Sequence, residues 1–236
     1  MSPHDSRYYL NNAATSYPKP QRVQDALAEW VDTPPNQEYR SGTVTDTDPR
    51  TTCREQLAAL LSATDPACIT LSSGATASLN MILAGLGNHV EHIVTTQRQH
   101  NSMRRPLNRI AGKNIADVTV AAASRDGSIP IERIEDAVQA ETGLITVSHV
   151  SNVTGGQLDL AAVKDLADDQ DCLLLVDAAQ SVGTVPVTVD GIDALVFTGH
   201  KSLFGPPGTG GAYIDPDLAE MISPLVEGGT GADSSA

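Results

Sequence analysis

Lys201 stands just behind the apolar run ALVF (194–197) and opens the glycine- and proline-rich stretch in TGHKSLFGPPGTGG (198–211). An amine at the end of a buried strand is either a solvated loop lysine or a covalent anchor for a carbonyl-bearing cofactor. Four other apolar runs end in groups capable of chemistry. CITL is followed by SSGATAS, HIVTT by QRQHNS, LITVSHV by SN, and CLLLV by DAAQS. Asp177 closes the last of these runs, and a carboxylate there needs a partner, because an unpaired buried charge is costly. That partner is a protonated heteroaromatic nitrogen, a salt-bridged cation or a helix terminus. Gln180 and Asn152, at the ends of two different strands, are suited to bonding a phenolic oxygen. His100 is suited to stacking on a ring or moving a proton. In SSGATAS, Gly74 makes the turn, and Ala75 and Thr76 open a helix whose free amides suit a phosphate. Ordinary helix capping uses the same residue types. Thr198 and His200 flank Lys201 and fit phosphate as well.

These positions require a frame of strands and helices. Short apolar runs begin at Cys68, His92, Asp117, Leu144, Cys172, Ala194 and Gly211, and they alternate with amphipathic stretches at 20–32, 50–62, 76–86, 131–140, 160–169 and 217–222. Runs that are apolar throughout mark strands covered on both faces. The alternation predicts an α/β fold, a three-layer α/β/α sandwich around a mostly parallel seven-stranded sheet. Ligands of such sheets bind beyond the carboxyl ends of the strands, where the polar residues named above lie. A nucleotide-binding Rossmann fold is disfavoured because no G-x-G-x-x-G follows the early strands.

One ligand uses all of these groups at once: a phosphate, a ring with a basic nitrogen, a phenolic oxygen and an aldehyde. That ligand is pyridoxal 5'-phosphate (PLP), whose protonated ring withdraws electrons from a carbanion at the substrate. The segments YYLNNAATSYPKP, SSGATASLN, HNSMRRPL, SHVSNVTGG, VDAAQSVG and TGHKSLFGPPGTGG, in this order, resemble the class V aminotransferase superfamily. The resemblance is strongest to its cysteine desulfurase and selenocysteine lyase branch, among the fold type I PLP enzymes, and runs from about Tyr8 to Thr230.

By that resemblance, Lys201 is the Schiff-base lysine and Asp177 the partner of the pyridine nitrogen. His100 stacks over the ring and helps move protons, so Lys201 and His100 are the catalytic pair. Asn152 and Gln180 surround the phenolic oxygen, while Ala75, Thr76, Thr198 and His200 form the phosphate cup. The GGTG segment at 228–231, with Thr230, reaches the phosphate of a neighbouring subunit, which implies a homodimer. Asn12 and Ala13 line the substrate pocket. The implied activity is sulfur removal from L-cysteine, giving L-alanine and passing sulfur to an acceptor protein. An aminotransferase, selenocysteine lyase or epimerase of the same superfamily would share the site, and so would an inactive PLP-binding fragment.

The same comparison expects residues 1–15 to line the active site, 16–225 to form the PLP-binding large domain, and 226–236 to begin an interdomain and dimer-contact segment. A small C-terminal domain would then be absent, and with it the arginine that grips the substrate carboxylate and the cysteine that accepts sulfur. Two positions depart from the family pattern. Thr43 stands where many relatives carry histidine, and Gln99 where an acidic residue is common.

Composition bounds the rest. The 236 residues are 40% apolar and 19% charged, which describes a chain able to bury a core rather than a disordered one. A net charge of −14 and scarce aromatics argue against nucleic-acid binding. No apolar run approaches the roughly 20 residues that span a bilayer, and no signal peptide opens the chain, so the expected compartment is the cytoplasm. Three widely spaced cysteines imply neither a disulfide framework nor a zinc site, and no metal is expected. Cys68 and Cys172 are read as buried small residues, and Cys53 as part of a helix.

Overall fold

The computed structural model describes residues 8–32 and 48–226. Its elements in chain order are α1 (Gln21–Asp32), α2 (Pro49–Leu61), β1 (Ile69–Ser72), α3 (Ala75–Leu86), β2 (His92–Thr96), α4 (Asn101–Gly112) and β3 (Asp117–Ala121). There follow α5 (Ile131–Glu135), β4 (Thr142–Ser148), α6 (Leu160–Asp169), β5 (Leu173–Asp177), β6 (Ala194–Thr198), β7 (Gly210–Ile214) and α7 (Pro216–Met221). The seven strands form one sheet in the order β1-β7-β6-β5-β4-β2-β3. Strands β2 to β6 run parallel, and β7 lies antiparallel to both β1 and β6. The expected α/β sandwich is therefore present.

Both faces of the central strands are covered, which explains why these strands are apolar without alternation, whereas the edge strands β1 and β3 are partly exposed. On β6 every residue is buried. Leu195 and Phe197 pack into one core with Val163 and Leu166 of α6, Ile134 of α5 and Leu61 of α2. Ala194 and Val196 face the other core, with Leu79 and Ile82 of α3 and Met103 and Ile110 of α4. Each of the larger buried side chains contributes about 1.5–3 kcal/mol.

The antiparallel β7 is inserted through glycine. A Cβ on Gly210 would lie 2.6 Å from both the Gly74 Cα and the Phe197 carbonyl oxygen. One on Gly211 would lie 2.2 Å from the Thr70 carbonyl oxygen. The glycines after Lys201 thus permit backbone approach as well as turning.

Three sequence expectations change. The stretch 101–112, left without an element, is the helix α4. Its inward residues Met103, Leu107 and Ile110 do carry helical spacing, but Pro106 and three arginines mask the pattern, and its N-cap is a histidine rather than the usual hydroxyl or carboxamide. Helix 131–140 stops at Glu135: the amides of Ala137 and Val138 bond three residues back, to the Ile134 and Glu135 carbonyls, and the Gln139 amide donates to the Thr142 hydroxyl at 2.8 Å. Cys68 is only partly buried, Cys172 is buried, and Cys53 is exposed on α2. Among the described residues no helix is long and apolar enough to cross a membrane.

Candidate active site

The carboxyl ends of β2, β4, β5 and β6 converge on the N-terminus of α3 and enclose a cavity of about 360 Å³. Lys201, Asp177, His100, Asn152, Gln180, Thr198, His200, Ala75, Thr76 and Ala13 all line it. Residues separated by up to 188 positions are brought together because parallel strands deliver every carboxyl end to one edge of the sheet. Thr230 lies outside the described residues. Asn12 is not in the lining: its exposed side chain accepts the Tyr17 amide at 3.2 Å, and Ala14 joins Ala13 in the wall instead.

Asp177 is 5% exposed, and its Oδ1 accepts the Ala179 amide at 3.0 Å. Burial pushes its carboxyl above the ordinary range, against the opposing pull of that amide and of nearby Lys201 and His100. No ion pair compensates it among the described residues. Lys201 is half-buried, and burial lowers its ammonium below the ordinary lysine range, an effect that Asp177 partly offsets. The two shifts have one cause, removal from water.

His100 has a second role that sequence did not reveal. Its Nδ1 accepts the Ser102 amide at 3.1 Å and so caps α4. That nitrogen must present a lone pair, and the neutral ring therefore carries its proton on Nε2. The cap fixes both the position and the tautomer of the imidazole.

The N-terminus of α3 begins at Gly74, whose φ of +136° favours glycine, and no side chain caps it. The first amides of the helix thus stay available beside Thr198. The Thr198 hydroxyl itself donates to the Thr209 carbonyl at 3.3 Å. His200 leaves its buried Nδ1 without a partner among the described residues, and burial lowers its pKa.

The N-terminal segment forms the remaining wall and is clamped to the residue before Lys201. The His200 carbonyl accepts the Ser16 amide at 3.0 Å, the Thr15 hydroxyl at 2.9 Å, the Ser16 hydroxyl at 3.1 Å and the Lys19 ammonium at 2.7 Å. Gln180 Nε2 donates to the Ala13 carbonyl at 2.8 Å, tying the same segment to the loop after β5. Sequence reasoning also missed Arg98, Ser102 and Ser148 in the lining. The quoted strand-end segment QRQHNS contained Arg98, but its side-chain direction depends on how the turn is held.

The donor set fits PLP. A buried carboxylate without a cation suits a protonated ring nitrogen, an uncapped helix start suits a phosphate, and a depressed lysine suits an aldehyde. Among the described residues no cluster of histidine, cysteine and carboxylate residues could hold a metal ion.

Comparisons with known proteins point the same way. A probable cysteine desulfurase of Methanothermobacter thermautotrophicus is 33% identical over 232 residues, 94% of this chain and 56% of its own length. The crystal structure of the Escherichia coli cysteine desulfurase CsdA superposes with a TM-score of 0.81 at 28% identity, covering 94% of this chain and 57% of that one. The structure described as SspA in complex with cysteine gives 0.82 at 26% identity, covering 94% and 65%. The chain spans little more than half the length of the curated relatives it matches. The family described as aminotransferase class-V, whose desulfurase members are PLP-dependent, matches residues 8–235, and this chain belongs to it.

Proposed function

We propose that this chain is the PLP-binding large domain of an enzyme acting at the α-carbon of an amino acid, with L-cysteine as substrate and sulfur as the group removed. The observation that carries this reading is the meeting of Lys201, Asp177, His100 and the uncapped α3 terminus in one cavity. Bound there, PLP supplies an aldehyde and an electron sink for negative charge at the α-carbon. Every other part of the work falls to residues of the chain.

Lys201 is the covalent tether and, when freed by substrate, a base. Its lowered pKa raises the fraction of neutral amine available for both tasks. Asp177 keeps the ring nitrogen protonated and gains the cation its buried carboxylate otherwise lacks. The α3 amides at Ala75 and Thr76, with Thr198 and His200, hold the phosphate, and Thr230 of a second subunit completes that cup in a homodimer. Asn152 and Gln180 bond the phenolic oxygen. His100 moves a proton at Nε2, because Nδ1 is committed to Ser102. Ala13 borders the substrate, with residues 1–15 as the lining segment and 16–225 as the domain. The similarity to named cysteine desulfurases supports L-cysteine as substrate; a sulfur-accepting protein as partner and a cytoplasmic setting belong to the same proposal.

The test is spectroscopic. After incubation with PLP and desalting, the protein should retain a visible absorption band. Lys201→Ala should abolish it, and Lys113→Ala, at an exposed position after α4, should not. A parent protein without the band would refute the reading. Supplied with L-cysteine and a dithiol reductant, the protein should release sulfide and L-alanine. Keto-acid formation without sulfide would point instead to transamination.

A further inference from the structure

Arg98 is the one charged wall residue of the cavity to which the proposed reaction gives no role. It follows β2 by two positions, and both of its neighbours are pinned to the sheet. The Gln97 amide donates to the Ala121 carbonyl at 2.9 Å, and the Gln97 side-chain oxygen accepts the Ala123 amide at 2.9 Å. Gln99 is buried; its amide donates to the Thr146 carbonyl at 3.0 Å and its oxygen accepts the Ser148 hydroxyl at 2.6 Å. With 97 held by β3 and 99 by β4, the Arg98 side chain is directed into the cavity.

The guanidinium is half-buried and donates to the Gly156 carbonyl oxygen. Gly156 makes room for it: a Cβ there would lie 3.2 Å from Nη2 and 3.3 Å from Nη1. A guanidinium has five N–H donors in a planar fork that matches a carboxylate. No carboxylate pairs with Arg98 among the described residues, where the only ion pair joins Arg50 to Asp48. Asp177, in the same cavity, is influenced by Lys201 and His100 rather than by Arg98. Burial works against the charge on Arg98 with no carboxylate to restore it.

We propose that Arg98 binds the carboxylate of the amino-acid substrate, so that this chain supplies a carboxylate-binding arginine from its own large domain. The proposal rests on the amino-acid reading given above. It assigns to Arg98 the grip that the family resemblance places in a further domain. A substrate carboxylate would satisfy donors that the protein leaves without an acceptor and would offset the cost of holding the cation partly out of water.

Two measurements test it. In the first, the visible band of the PLP-loaded protein is titrated with L-alanine and with ethylamine, which lacks the carboxylate. Arg98→Gln should weaken L-alanine binding about 10- to 100-fold and leave ethylamine binding unchanged. Arg98→Lys should restore part of the difference, since it keeps the charge but loses the fork. Gly156→Ala, which leaves Arg98 in place and crowds it, should shift the ratio in the same direction. An unchanged L-alanine-to-ethylamine ratio in Arg98→Gln, with the band intact, overturns the proposal. The second measurement needs no PLP. The cofactor-free protein is treated with phenylglyoxal and modification is followed by peptide mass spectrometry. Propionate should slow modification of Arg98 relative to exposed Arg133, and equal rates would again overturn it. If the parent shows no PLP band, the proposed function falls while this second measurement still decides Arg98.

Discussion

Replacing Asp177 by asparagine should move stability and cofactor binding in opposite directions. The side chain is almost fully buried, accepts one backbone amide, and has no ion-pair partner among the described residues. Burial outweighs the attraction of Lys201 and His100, so the charged form is disfavoured in the folded cofactor-free protein. An asparagine retains an oxygen for the Ala179 amide and removes the charge. A buried ion carries a desolvation penalty of several kcal/mol. Reducing a charge-assisted hydrogen bond of about 1.5–3 kcal/mol to a neutral one of about 1 kcal/mol returns part of that. The expected net gain is about 1–3 kcal/mol, or roughly 3–10 °C in melting temperature for a chain of this size.

The pH dependence has a definite sign. A carboxyl whose folded pKa is raised stabilises fully below the unfolded value of 3.8, and that contribution is lost as pH rises through the folded value. The advantage of Asp177→Asn should therefore be greatest at neutral pH and fade on acidification. PLP retention should fall about 10- to 100-fold, because a neutral amide cannot hold the ring-nitrogen proton. Thermal melts of the cofactor-free protein across pH, with spectroscopic PLP titration, measure both quantities. A variant that melts lower than the parent without cofactor, or that retains PLP undiminished, would refute the reasoning.

Gly211→Ala should destabilise by more than about 2 kcal/mol in denaturant unfolding, since its Cβ would meet the Thr70 carbonyl at 2.2 Å across the β1–β7 pair. His92 and His149 are buried with pKa values lowered chiefly by desolvation. Their stabilising contribution is complete above the unfolded value of 6.5 and is lost as pH falls toward the folded values. Unfolding free energies should thus decline below neutral pH, and less steeply in His92→Gln. Lys19→Met removes one of the donors on the His200 carbonyl and should cost about 1 kcal/mol while loosening the wall at Ala13. Limited proteolysis of the N-terminal segment, compared with parent, checks that loosening.

The order and type of the strands were legible because both-face burial leaves an unmistakable apolar run, as in HIVTT and ALVFT. The chemistry-bearing groups were legible too, since a parallel sheet places them immediately after those runs. What sequence could not show is how one residue serves two neighbours. His100 reads as a lone histidine, yet its tautomer follows from capping α4. Asn12 reads as a pocket residue, yet it spends its oxygen on the Tyr17 amide. Arg98 carries no signal in the turn QRQHNS, and only the anchoring of Gln97 and Gln99 to separate strands aims it inward. Local patterning thus determined which elements form and which groups stand at their ends. The directions of those groups were decided by contacts between residues far apart in sequence, where hydrogen bonds and close packing choose one orientation from several that the chain alone allows.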